Sequence, residues 1–190
     1  MKPIVDRAAL LRCLLRPESG IFGRREADDT AEGVVAGGTA GELYRIAAEP
    51  LPELSAADAR KVRGRAAHVL ERLWEDMPWE FEPFAERFCR QDFAACTHAG
   101  ARRSFAKIMA GLLAERKPDT ATLEPIATVA AEWAADPRTK PGTKVWAMEI
   151  LKLSRPHLEW VAELWEDMVA LQLADASPSL LSRHRNHWPA

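Results

Sequence analysis

The stretch Thr143–Met168, TKVWAMEILKLSRPHLEWVAELWEDM, decides the reading of the fold. In its first half Val145, Trp146, Met148, Ile150, Leu151 and Leu153 leave Lys144, Glu149 and Lys152 as the charges on one arc. A helix that is apolar on nearly every side has to be covered on most of them. Ser154-Arg155-Pro156 then reads as a tight turn. In the second half Leu158, Val161, Ala162, Trp165 and Met168 recur at spacings of three and four, the period of one buried helical face. A connection this short makes the two helices antiparallel neighbours, an αα-hairpin.

Weaker copies of the pattern lie upstream. Ser55 and Asp58 cap a long helix whose stripe is Val62, Ala66, Val69, Leu70 and Leu73, ending at Pro78. Another opens near His98 and carries Ala101, Phe105, Ile108, Met109 and Leu112 as far as Lys117-Pro118. Their partners are expected to start at Pro83, with Phe84, Ala85 and Phe88 inward, and around Glu124-Pro125, with Ile126, Val129, Ala130 and Trp133 inward. Proline is tolerated in a first turn, where its missing N–H has no intrahelical acceptor. Aligned on Val69-Leu70, Ile108-Met109 and Ile150-Leu151, the first helices recur about every 40 residues, a HEAT or armadillo period. LWEDM occurs at both Leu73–Met77 and Leu164–Met168, but on a first and a second helix respectively, so it is no part of the repeat.

The flanks are less regular. Ile4, Ala8, Leu11 and Leu15 suggest a helix closed by Pro17 and Gly20. Residues 21–38, IFGRREADDTAEGVVAGG, mix Gly23, Gly33, Gly37 and Gly38 with charges and read as a loop holding at most a poor helix. Thr39 and Glu42 have capping-box spacing before Leu43, Ile46 and Ala47, and Glu49-Pro50 stops that helix. The end, SRHRNHWPA, reads as a polar tail. The expected organisation is therefore one all-α domain over 1–190, an α-α superhelix of HEAT/ARM-like hairpins. It divides into capping helices and a loop (1–54), about three hairpins (55–173) and the tail (174–190).

Composition bounds the function. With 47% hydrophobic and 28% charged residues, 190 residues suffice for one continuous core. A net charge of -2 argues against a generally nucleic-acid-coating or membrane-surface protein, because phosphate binding rests on Lys and Arg. Ala8–Leu15 is cut by Arg12 and makes no convincing signal peptide, and nothing approaches the roughly 20 apolar residues of a membrane span. Cys13, Cys89 and Cys96 are odd in number and irregularly spaced, which fits a reducing cytoplasm.

Four segments carry a resemblance: Val62-Arg63-Gly64-Arg65-Ala66-Ala67-His68-Val69-Leu70, Arg102-Arg103-Ser104-Phe105, Lys144–Leu151, and Glu163-Leu164. With them, roughly Ser55 to Arg185 resembles a family of uncharacterised bacterial HEAT-like, armadillo-type proteins. The resemblance implies a fold and assigns no activity.

Candidate site residues come from two patterns. Basic residues gather where first helices begin: Arg60, Lys61, Arg63 and Arg65, then Arg102 and Arg103, then Arg138, Lys140 and Lys144. Cations there oppose the helix dipole by about 0.3 to 1 kcal/mol when exposed. They read either as a basic ridge for an anionic partner or as side chains paired with neighbouring carboxylates and water. Among the seven tryptophans, most lie on apolar stripes; Trp79, just after Pro78, and Trp160, opposite the Leu158-Val161-Trp165 stripe, are the candidates for a contact surface.

Catalytic signals are weak. Cys89, Cys96 and His98 match no zinc-ligand spacing, and His184 with His187 supplies only two ligands. Adjacent carboxylates such as Glu75-Asp76 and Glu166-Asp167 point to different sides of a helix. The expected function is a non-catalytic module without metal or cofactor that binds a protein, with Arg63, Arg65, Arg102, Arg103, Lys144, Trp79 and Trp160 as its candidate surface. The alternative is a nucleic-acid binder, by analogy with HEAT-like DNA glycosylases; no membrane partner is expected.

Overall fold

The computed structural model describes residues 2–16, 20–116, 118–174 and 176–188, and these are all-α, with ten helices and no strand among them. The chain divides into two compact units. The first takes everything up to Phe88 together with Cys96–Phe105; the second takes Cys89–Ala95 and everything from Ala106 onward.

The first unit holds α1 (Arg7–Leu15), α2 (Arg24–Gly37), α3 (Ala40–Ala48), α4 (Ala56–Asp76), α5 (Pro78–Arg87) and the start of α6 (Ala99–Glu115). Asp6 caps α1 by accepting the Ala9 N–H, and the buried face of α1 is Leu10 and Leu14, one position off the expected Ala8-Leu15 stripe. Ile4 is buried ahead of the helix.

Residues 24–37, expected as a loop, are a helix. Glu26 closes its first turn by accepting the Gly23 N–H at 3.0 Å, and Ala27, Thr30, Ala31 and Val34 are buried. The glycines that suggested a loop provide room instead. Gly33 and Gly37, one turn apart, form a groove in which the N-terminal segment lies: the Ile4 N–H donates to the Gly33 carbonyl at 2.8 Å. A Cβ at Gly37 would come within 1.9 Å of the Ile4 carbonyl oxygen. Gly38, at φ 66°, takes the left-handed conformation that ends the helix.

The Thr39-Glu42 capping box does not form. The Thr39 side chain makes no cap bond and its hydroxyl donates to the Ile4 carbonyl at 2.8 Å, while Glu42 pairs with Arg45 and Arg7. The Glu42 N–H donates instead to the Thr39 backbone carbonyl at 3.0 Å, so the turn closes without the hydroxyl.

α4 runs as the stripe requires, with Val62, Ala66, Val69, Leu70 and Leu73 fully buried and Ser55 accepting the Asp58 N–H. α1, α2, α3 and α5 all pack on it. α5 begins at Pro78, not Pro83: Met77, at φ -141° and ψ 59°, breaks the helical backbone and Pro78 fills the next helix's first position. Pro83 sits inside the helix on its exposed side, where water can satisfy the carbonyl one turn back. Phe81, Ala85 and Phe88 are buried, Phe84 half so, and a run of rings follows: Tyr44 stacks on Phe84 at 4.6 Å, and Phe81, Phe88 and Phe105 meet edge to face. α5 continues into a π-helical turn at Phe88–Asp92.

The second unit holds the rest of α6, then α7 (Thr120–Ala135), α8 (Pro141–Ser154), α9 (Glu159–Ala174) and α10 (Pro178–His187). α7 starts at Thr120 under an Asp119 cap, which places Pro125 inside the helix and exposed, as with Pro83. α8 and α9 form where the sequence places two helices. Val145, Ala147, Met148, Ile150 and Leu151 are buried, Trp146 and Leu153 half-buried, and α7, α9 and α10 all lie against α8. The turn is drawn tight by Ser154, whose carbonyl accepts from the His157 and Leu158 N–H groups. Leu158, just before α9, and Val161, Trp165 and Met168 on it face inward, whereas Ala162 is exposed.

The expected polar tail contains α10. Ser177 caps it, Leu180 and Trp188 are buried, and the Trp188 indole N–H donates to Glu149 on α8 at 3.2 Å.

Candidate interaction surface

Arg63 and Arg65 project from α4 toward the ends of other helices. Arg63 donates to the Ala48 carbonyl at the end of α3 (3.1 Å), and Arg65 to the carbonyls of Leu14 and Leu15 at the end of α1 (2.5 and 3.2 Å). Arg65 also lies over the Phe22 ring, 5.1 Å from its centroid. Cations at helix C-termini are favourable by about 0.3 to 1 kcal/mol, more when partly buried. α4 begins at Ala56, so Arg63 and Arg65 lie beyond its first turn and do not oppose its dipole; they serve the C-terminal dipoles of α3 and α1 instead.

Arg103 reaches back from α6 to Glu71 on α4, bonding both carboxylate oxygens at 2.9 and 3.3 Å. Arg102 is half-buried and, with Arg63, sets its charge near the buried Cys96. The helices come close here: a Cβ at Gly100 would lie 3.6 Å from the Gly64 Cα and 3.0 Å from the His98 ring. Burial first, and then the charges of Arg63 and Arg60, hold the His98 imidazole below its ordinary value. Burial also pushes the Cys96 thiol up. In the first unit, therefore, Arg63, Arg102, Cys96 and His98 are brought together, while Arg65 and Arg103 serve separate contacts.

Trp79 differs from all of these. It occupies the second position of α5 and is 64% exposed. Glu82, Pro83 and Glu86 follow at helical spacing on the same exposed face.

In the second unit Lys144 and Trp160 are both half-buried. The Trp160 indole N–H is buried without a hydrogen-bond acceptor among the described residues. Cys89 belongs to this unit and its thiol is raised by burial. Among the described residues no three of His, Cys, Asp and Glu are placed to hold a metal ion.

Sequence reasoning passed over a charged constellation on α4. Arg72 is 8% exposed and binds three carboxylates: Asp28 of α2 at 2.5 Å, Asp76 at 2.6 Å, and Glu75. Glu71, 2% exposed, holds Arg103, and half-buried His68 one turn earlier meets the Phe22 ring edge to face. Burial, then Arg103 and Arg72, keep His68 below its ordinary value against the opposing pull of Glu71 and Asp28. The signal was present in Val69-Leu70-Glu71-Arg72-Leu73: a helix buried on most sides has no solvated arc left for the two charges. Similarly, Trp146 on α8 lies between two cations, Arg183 of α10 at 4.7 Å and Lys107 of α6 at 5.8 Å.

Compared with known proteins, the chain matches no family model, no curated protein and no solved structure.

Among the described residues, no helix is long and apolar enough to cross a membrane. Chemically, the charged groups described above fasten helices to one another, and Trp79 is the large apolar group on α5 that the first unit leaves to solvent.

Proposed function

We propose that the chain is a non-catalytic interaction module, built of helical hairpins in the HEAT or armadillo manner, that binds another protein through the outer face of α5. One observation carries this reading: Trp79 stands 64% exposed while Arg63, Arg65 and Arg103 are engaged by carbonyls and a carboxylate of their own unit. Exposing an indole costs the hydrophobic free energy that its burial would return, about 25 cal/mol per Å² of apolar surface. Tryptophan is also enriched among the residues that dominate protein interfaces.

The nucleic-acid alternative draws less support. It needs a basic ridge, and three of its arginines already hydrogen-bond carbonyls or a carboxylate of their own unit.

A photo-crosslinking amino acid placed at Trp79, in cells expressing the full chain, tests the proposal. A reproducible protein adduct is expected, lost when the probe is moved to exposed Ala57 on α4. Duplex DNA titrated at low salt should show no salt-dependent binding. No adduct at position 79, or DNA affinity that falls steeply with salt and flattens in Arg102→Ala/Arg103→Ala, would overturn it.

A further inference from the structure

α9 and α10 pack against each other in the second unit and carry opposite charge. α9 holds Glu159, Glu163, Glu166 and Asp167 with no Lys or Arg; α10 holds Arg183, His184, Arg185 and His187 with no Asp or Glu. The α9 carboxylates are exposed, and no ion pair engages them among the described residues. Helix dipoles account for Glu159 in a first turn and for basic residues in a last turn, but not for Glu163, Glu166 and Asp167 in mid-helix.

Apolar surface accompanies the charge. Leu171 on α9 is 50% exposed and Leu181 on α10 is 42% exposed. Half-buried Trp160 and Leu164 lie on the Leu171 side of α9, and exposed Arg185 follows Leu181 by one turn.

We infer that this face binds a second copy of the chain about a two-fold axis, α9 of each copy lying against α10 of the other. A two-fold contact pairs each residue with a different residue and repeats that pairing in reverse. An acidic helix beside a basic one becomes complementary to itself under that operation. The α9–α10 charge contact is made twice, and Leu171 and Leu181 are covered. Other occupants fit less well: nucleic acid is repelled by α9, and a basic peptide covers α9 while leaving α10 facing water. The inference stands apart from the Trp79 face, which lies in the other unit.

Sedimentation velocity on the full chain, with a monomer mass of 21.2 kDa, tests it. At low salt and tens of micromolar chain the expected species has twice that mass, and it dissociates toward monomer as salt screens the pairs beyond a Debye length of about 10 Å at 0.1 M. Glu163→Arg and Arg185→Glu both replace exposed side chains, so circular dichroism of each variant should match the parent chain. Each should weaken association at least about tenfold, and the double variant should restore it. Arg183 is left unchanged because it stacks on Trp146. A monomer at about 100 μM in low salt, a dimer indifferent to both reversals, or a mass that keeps growing with concentration would overturn the two-fold contact.

Discussion

Arg72 shows how a single charge is held inside a helical core. Its guanidinium is fixed by Asp28, Glu75 and Asp76, so it ties α2 to α4 as well as bracing one turn of α4. Removing one partner of a buried pair costs about 3 to 5 kcal/mol, mostly by stranding the other charge. Here Asp76 and Asp28 retain solvent contact, at 54% and 35% exposure, which lowers the cost. Arg72→Met should therefore destabilise the protein by about 2 to 3 kcal/mol, read as a fall in urea midpoint at constant m-value. An unchanged midpoint would show the network to be an ornament of the surface. The charge of this residue is plain in the sequence, but its burial depends on α2, a helix whose existence the glycine content concealed.

Among the elements, α2 and α10 depart most from expectation. Both depart for one reason: composition carries no record of what each helix face meets. Gly33 and Gly37 mark close backbone approach by Ile4, and the polar run around Arg183 is the outer side of a helix anchored by Leu180 and Trp188. The proline-bearing helices taught the opposite lesson, since Pro83 and Pro125 are tolerated deep in α5 and α7 where they face solvent. The anchoring of α10 can be checked. Trp188→Ala removes a buried ring and the hydrogen bond to Glu149, so hydrogen exchange across Pro178–His187 should rise to that of an undocked helix while α2 to α4 keep their protection. Retained protection in α10 would mean that Arg183 on Trp146 suffices to hold it.

At the scale of the molecule, His68 and His98 make stability depend on pH. Both imidazoles are held below their ordinary value, chiefly by burial. The unfolded chain takes up protons from about pH 6.5 downward, whereas the folded chain does so only at lower pH. The unfolded state then holds more protons, so stability present above about pH 6.5 is lost as pH falls below it. The urea midpoint should drop between about pH 6.5 and 5, and the combined His68→Gln and His98→Gln variant should flatten that slope. Glu42, lowered mainly by its hydrogen bond to Arg45, contributes in a separate window below its ordinary carboxylate value. A midpoint that stays level down to pH 5 would refute the assignment. The all-α class and the positions of α8 and α9 were legible in the sequence, because apolar spacing reports directly on which face of a helix is covered. Which charges are buried, which glycines make room and which of Trp79 and Trp160 stays in water were decided only by the tertiary structure. Those properties belong to pairs of faces, and one helix's pattern carries no record of the face it meets.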